Sequence, residues 1–196
     1  MSKGFGTRIE NVWKDLRPVT KEFLVSVLEK KTPKKKIPSY DAHSDWELSR
    51  LLDAIDASTH NKTDTIDVKS VIRLAEICVN VLENKTVSAE IFIKLAKRAL
   101  NRNDFAKIDK LADVLYERFS VGEIFEIIRL TNIAQISAIS YETLALMPVA
   151  SIVPHVKDPL YFELACNVLD QQANEFQNPE AKQVLARLDA GFNFGI

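Results

Sequence analysis

The chain has 196 residues, of which 46% are hydrophobic and 27% are charged, and its formal net charge is −1. A chain of this length buries about 70% of its unfolded surface, so it can form a hydrophobic core without disulfides or a structural metal. A net charge near zero excludes a surface that is basic throughout, which is common in nucleic-acid-binding proteins. Only 5 residues are glycine and no Asn-Gly or Asp-Gly turn occurs, so the strongest signals for β-hairpins are missing.

The N-terminal third of the sequence predicts short helices around one long polar loop. Helices are expected over residues 8–16, 19–30 and 45–57, the last with Asp45 as its N-cap. The segment KKTPKKKIPSYDAHSD, residues 30–45, contains two prolines and five lysines, which stop helix propagation. Residues 1–43 are therefore expected to form a helical arm with a lysine-rich loop.

From Asp67 onward, apolar residues recur at intervals of three and four, which indicates amphipathic helices. We expect these helices to start near residues 67, 88, 104, 120, 135, 158 and 178, and the last to end at Gly191. The predicted N-caps are Asp67, Ser88, Asn103 or Asp104, Ser120, and the pairs Asp158-Pro159 and Asn178-Pro179.

Alternate helix starts lie about 32 to 43 residues apart, a spacing typical of two-helix repeats. The sequence therefore predicts an all-α fold of antiparallel helical hairpins. These would form either an α-solenoid of the HEAT or tetratricopeptide type or a compact multi-helix bundle. The predicted domain covers residues 44–191, followed by a tail of residues 192–196.

The segment LTNIAQISAISYETLALMPVASIVPHV, residues 130–156, carries a single formal charge, Glu142. Polar side chains interrupt it, and Pro148 and Pro154 break it, so it does not suit a membrane span. Two interpretations remain. Either later helices cover the segment as core, or part of it is an apolar surface for a partner. The residues predicted for such a surface are Ile139, Leu146, Met147, Val149 and Ile152.

The lysine-rich loop offers an alternative binding surface. Its phosphate-contacting candidates are Lys30, Lys31, Lys34, Lys35 and Lys36. Tyr40 and Trp46 follow closely in the sequence and could stack on bases. No arginine lies in the loop, so nucleic-acid or anionic-surface binding ranks second.

No cofactor or metal is predicted. Asp41, His43, Asp45 and His60 could be drawn together as a mixed nitrogen and oxygen site, but Asp45 suits a helix cap better. Cys78 and Cys166 lie in apolar helical patterns without a CxxC spacing, which favours buried, reduced thiols. The N-terminus shows no apolar signal region, and a cytoplasmic location is expected.

The sequence contains no GxSxG, no glycine-rich phosphate loop and no HExxH motif, and none of these absences excludes an enzyme. We expect a non-enzymatic helical module or scaffold that binds another protein, or a second copy of itself, through an apolar surface. The alternatives are a nucleic-acid binder using the lysine-rich loop, and a helical enzyme or small-ligand carrier with its site between helices.

Overall fold

The structure is a computed structural model that describes residues 5–28, 40–60 and 67–191. All regular secondary structure in these three ranges is helical, which confirms the all-α prediction. The elements are α1 (Thr7–Asp15), α2 (Pro18–Leu28), α3 (Ala42–His60), α4 (Val68–Lys85), α5 (Ala89–Asn101), α6 (Phe105–Arg118), α7 (Val121–Leu130), α8 (Ala134–Leu146), α9 (Val149–Ile152), a 3₁₀ helix (Val153–Lys157), α10 (Phe162–Asn174) and α11 (Pro179–Asp189). Within the described ranges, none of these helices is long and apolar enough to cross a membrane.

The chain divides into two units, Met1–Ile91 and Phe92–Ile196, and the division falls inside α5. In the first unit α1 packs on α3, α2 packs on α4, and α3 packs on α4. In the second unit α8 contacts α6, α7 and α10, while α11 packs on α10. The predicted arm of residues 1–43 and domain of residues 44–191 stay predictions, as does the choice between solenoid and bundle. The predicted tail lies outside the described residues.

The helix starts follow from side-chain capping. Each of four predicted N-caps accepts a hydrogen bond from a backbone N–H in the first turn of its helix, which removes one unsatisfied donor. These confirmed caps are Asp67, Asp104, Ser120 and Asn178. After α11, Gly191 adopts a left-handed φ of 72°, the conformation that a glycine at a helix end favours.

The N-cap predicted at Asp45 is wrong. The helix begins earlier, at Ala42, and Asp41 accepts the Ser44 N–H at 2.8 Å. Asp45 lies in the first turn and is buried, and its carboxylate accepts hydrogen bonds from the hydroxyls of Tyr40 and Thr86. A carboxylate that resembles a cap in the sequence therefore ties α3 to the residue that follows α4.

The helix start predicted at Asp158-Pro159 is also wrong, because α10 begins at Phe162. The Asp158 carboxylate accepts the N–H of Leu160 at 2.9 Å, and its backbone carbonyl accepts the N–H groups of Tyr161 and Phe162. An aspartate that bonds two residues ahead forms a turn of its own. The turn delays the helix and leaves Leu160 54% exposed.

The core of the second unit is aliphatic and aromatic. Its largest fully buried side chains include Leu115, Ile124, Phe125 and Ile127. Phe105 lies three residues before the buried Ile108 and so shares its face of α6, yet it is 64% exposed. It is the first residue of the helix, directly after the Asp104 cap. Periodicity assigns a residue to a face of the helix, but it does not show whether a neighbour covers the helix end.

Candidate functional site

Part of residues 130–156 lies in the core of the second unit, and the rest is half-buried or exposed. The segment contains α8, α9 and the 3₁₀ helix, with Pro148 between α8 and α9 and Pro154 near the start of the 3₁₀ helix. Ile136 and Leu144 are fully buried in α8, which contacts α6, α7 and α10. Glu142, the one formal charge of the segment, is exposed.

The five residues predicted for a partner surface fall into two groups. Val149 and Ile152 are 1% and 0% exposed, so they belong to the core of the second unit and offer no surface. Leu146 is 62% exposed, and Ile139 and Met147 are half-buried. The candidate surface therefore narrows to the end of α8 and the turn that follows it.

Met147 lines an open groove of about 630 Å³ in the second unit, here called the Met147 groove. Its lining residues are Tyr116, Phe119, Ser120, Val121, Gly122, Met147, Pro148, Ser151 and His155. No aspartate, glutamate, lysine or arginine is among these described residues. Tyr116 is 55% exposed at the groove, so a large aromatic face is open there.

Gln172 of α10 fixes the backbone of the groove at Met147. Its side-chain amide donates to the carbonyls of Met147, Ala145 and Leu144 at 2.7, 3.1 and 3.3 Å. The last carbonyls of a helix have no partner inside the helix. One buried amide therefore satisfies the end of α8 and holds the turn that presents Met147.

His155 forms part of the groove wall and packs in an aromatic cluster. Its ring centroid lies 5.3 Å from that of Phe125 and 5.8 Å from that of Tyr161. Burial lowers the pKa of His155, and the carboxylate of Asp158 acts in the opposite direction without cancelling the effect. The imidazole is therefore held in a site that favours its neutral form.

The carboxylate of Glu126 holds Tyr161, a member of this aromatic cluster, in place. The Tyr161 hydroxyl donates to the carboxylate of Glu126, and this bond raises the pKa of Tyr161 to about 12. Arg129 forms an ion pair with Glu126 at 2.7 Å, and the hydrogen bonds from Arg129 and Tyr161 lower the pKa of that carboxyl. The Tyr161 ring stacks on Phe125 with a centroid distance of 5.6 Å and an interplanar angle of 21°.

A second groove of about 610 Å³, the Leu160 groove, lies between α7, the 3₁₀ helix and α10. The sequence pattern does not reveal it, because that pattern assigns Leu160 and Phe162 to one regular helix. Both side chains are exposed, at 54% and 44%. Charges of both signs, including Lys157 and Glu163, line it, so it selects less clearly for one class of ligand.

In the first unit, the predicted phosphate-contacting lysines lie outside the described residues. Tyr40 is half-buried and donates to Asp45, which takes it out of a stacking surface. Trp46 is 52% exposed, with the Arg50 guanidinium 4.6 Å from its ring centroid and the His43 ring 5.7 Å away. One of the two stacking candidates is therefore open to solvent.

The carboxylates considered as metal ligands already have protein partners. Asp41 accepts two hydrogen bonds from Arg17, at 2.8 and 3.1 Å, and Asp45 is bonded to Tyr40 and Thr86. In residues 5–28, 40–60 and 67–191, no group of three His, Cys, Asp or Glu side chains is placed to hold a metal ion.

A buried carboxylate that no sequence pattern singled out joins α2 to α3. Glu47 is 3% exposed and accepts the Arg17 backbone N–H at 2.6 Å, the Arg17 Nε at 3.0 Å, and the Thr20 hydroxyl. Burial raises the pKa of Glu47, but the hydrogen bonds from Thr20 and Arg17 outweigh it and leave the pKa below its ordinary value. Because its acceptor oxygens are occupied, Glu47 is better suited to holding α2 against α3 than to a chemical role.

Comparison with known proteins gives no relative: no protein-family model, no curated protein and no solved structure matches this chain significantly. What the chain can do must therefore be argued from its own grooves and exposed side chains.

Proposed function

We propose that the protein is a non-enzymatic helical module that binds an apolar segment of another protein in the Met147 groove. The observation that carries this proposal is an open groove without a formal charge among its described lining residues, one of which, Met147, follows the 62% exposed Leu146 in the chain. A phosphate or a charged peptide would find no counter-charge in such a lining. An apolar peptide side chain would lose water and gain contacts, worth about 1.5–3 kcal/mol for a fully buried Leu or Met.

The polar groups of the groove support binding rather than catalysis. The Ser120 hydroxyl accepts the Glu123 N–H at 3.2 Å, and the Ser151 hydroxyl donates to the Pro148 carbonyl at 2.6 Å. Both serines therefore take part in local capping, and neither is hydrogen-bonded to His155. A nucleophile activated by a base requires such a bond. We expect the module to act in the cytoplasm, with its two cysteines as thiols.

A displayed peptide library screened against the purified protein tests this function. We expect enriched peptides with apolar anchor residues, since one groove of this size suits a short segment better than a flat domain surface. Leu146→Asp and Met147→Asp should weaken the selected peptides by about tenfold or more, which corresponds to about 1.4 kcal/mol. Gln135→Asp is the matched control, because it places the same charge on an exposed position of the same helix.

Circular dichroism and thermal melting of each variant separate loss of binding from loss of folding. Leu146→Asp is the more informative variant, because its side chain is the more exposed one and its substitution should leave the melting curve unchanged. If no peptide is enriched, or if the enriched peptides bind both Asp variants as well as wild type, the proposal fails. A dimer in light scattering that Leu146→Asp converts to a monomer would identify a second copy of the chain as the occupant.

A second candidate function is nucleic-acid binding through the first unit. The exposed Trp46 ring with its Arg50 neighbour favours it, since aromatic faces next to cations stack on unpaired bases. A fluorescence-anisotropy titration with single-stranded oligonucleotides at rising salt would support it if affinity falls with salt and with Trp46→Ala. Binding that ignores Trp46→Ala would remove the structural argument for this candidate.

A further inference from the structure

We infer that His155 makes the Met147 groove responsive to pH. The neutral imidazole completes the groove wall, and protonation drives the ring out of its aromatic packing and reshapes the groove. The physiological meaning of this response rests on the proposed function, but the response itself can be observed without any partner.

The packing of the ring supplies the first argument. The plane of the His155 ring lies at 74° to that of Phe125 and at 74° to that of Tyr161, a T-shaped arrangement in each case, and Phe125 is fully buried. No residue in the described part of the chain forms a hydrogen bond with the His155 ring. An imidazolium has two N–H donors to satisfy, so a second proton gains no protein acceptor here.

Gly122 supplies the second argument. A Cβ atom built at Gly122 would lie 3.4 Å from Cε1 of His155, at ordinary van der Waals contact. The first turn of α7 therefore lies directly against the imidazole on the groove side. The positive end of a helix dipole at this turn disfavours a cation. A protonated ring is thus opposed on the α7 side, and the described residues offer it no hydrogen-bond acceptor.

The surrounding charges do not reverse the preference of His155 for its neutral form. Asp158 is the carboxylate that favours the imidazolium, and it is exposed, so solvent screens it. On α7, Glu126 is occupied by Tyr161 and Arg129, and Glu123 in the first turn is not one of the charges that shift the pKa of His155. Lys157, two residues along the 3₁₀ helix, adds a like charge, and Glu163 of α10 lines the Leu160 groove together with that lysine. The short helix α9, VASI, carries no charged side chain.

The composition of the chain makes the test selective. The sequence has 3 histidines, and His43 and His60 fall in the first unit, so His155 is the one histidine of residues 92–196. It has 2 methionines, Met1 and Met147. Labelling with ¹³C-methyl methionine therefore gives two NMR signals, and one of them reports from inside the groove.

The experiment follows the Met147 methyl signal of the full chain from about pH 8 to about pH 5. We expect a single titration step with a midpoint below 6.5, the ordinary value for histidine, that coincides with the Cε1–H titration of His155. Asp158→Asn should lower the midpoint further, because it removes the carboxylate that favours the cation. The amide oxygen of the introduced asparagine can still accept the Leu160 N–H, so this variant should fold.

His155→Phe should abolish the step, and His43→Gln should leave it unchanged. Met147→Leu assigns the signal, and His155→Gln replaces His155→Phe if the latter does not fold. A Met147 signal that does not change with pH, or a step that persists without His155, overturns the inference. If the step is present while the peptide screen yields nothing, the proposed function fails and the pH response stands. If peptides are enriched but the Met147 signal shows no titration step, the proposed function stands and the pH response fails.

Discussion

The side-chain amide of Gln172 donates a hydrogen bond to the backbone carbonyl of Met147 at 2.7 Å. Gln172 is 1% exposed in α10, and Met147 follows directly after α8. The groove methionine is thus held from a helix that lies 25 residues further along the chain. The shape of the groove therefore depends on α10 as well as on the segment that lines it.

Gln172→Glu should destabilise the protein strongly, because it places a carboxylate against the three carbonyl oxygens that the amide now satisfies. We expect a loss of about 3 kcal/mol in the free energy of unfolding, compared with about 1–2 kcal/mol for Gln172→Leu. The smaller loss for leucine has a structural reason: the Gln172 Oε1 has no hydrogen-bond partner among the described residues, so leucine also removes a buried unsatisfied acceptor.

Urea unfolding monitored by circular dichroism measures these losses. Gln183→Glu, at an exposed position of α11, introduces the same chemical change and should stay within about 0.5 kcal/mol of wild type. Equal stability of the two glutamate variants would show that the amide contacts at the end of α8 contribute nothing to the fold.

Glu47→Gln should weaken the first unit. The substitution removes the charge that strengthens the bonds from Arg17 and Thr20, and it turns one acceptor of a buried group into a donor. We expect a loss of about 1–3 kcal/mol in the free energy of unfolding. Glu22→Gln, on the exposed side of α2, is the control and should have little effect. A Glu47→Gln variant that unfolds at the same urea concentration as the control would contradict the prediction.

Stability should fall as the solution becomes acidic. Hydrogen bonds from Arg17 and Ser44 lower the pKa of Asp41 below its ordinary value of 3.8. At Glu47, burial raises the pKa, but the hydrogen bonds from Thr20 and Arg17 outweigh burial and lower the pKa of that carboxyl below 4.5. Because the unfolded chain then binds more protons, the stabilisation is present above these ordinary values and is lost as pH falls through the lower, folded-state values. The lowered pKa of His155 also stabilises the folded chain at higher pH, but this stabilisation begins to fall nearer to pH 6.5.

Melting temperatures measured across this pH range check the assignment. Glu47→Gln should flatten the acid limb of the curve, and His155→Phe should flatten the region above it. The Glu22→Gln control should reproduce the wild-type profile. If wild type loses no stability between about pH 7 and about pH 2, the lowered pKa values of these groups do not contribute to the stability of the chain.

The helical fold and most helix starts could be predicted from the sequence, because periodicity and capping are local properties. Asp67 and Asn178 sit within three residues of the N–H groups they cap. The prediction at Asp45 failed for the opposite reason. Its partner Thr86 is 41 residues away, and no local pattern distinguishes a buried acceptor from a cap.

The candidate site shows the same limit. The low charge of residues 130–156 pointed to the segment that holds Met147, but it did not separate the exposed Leu146 from the buried Val149 and Ile152. That separation depends on which elements cover the turn after α8. Tyr116 and Gly122 reach the groove from α6 and α7, so no motif in the sequence could join them to Met147.

The two thiols should react in a defined order. Cys78 is 0% exposed in the first unit, whereas Cys166 is half-buried in the second. Burial and the nearby carboxylate of Asp189 raise the pKa of Cys166, so little thiolate is present near neutral pH. We expect slow alkylation of Cys166 by N-ethylmaleimide in the native protein, and alkylation of Cys78 only through opening of the first unit. Peptide mass spectrometry resolves the two sites.

Asp189→Asn should accelerate labelling of Cys166, since it removes a charge that opposes the thiolate, while Glu180→Gln on the same helix should not. Cys78 labelled as fast as Cys166 would show that the first unit opens more readily than its buried core implies.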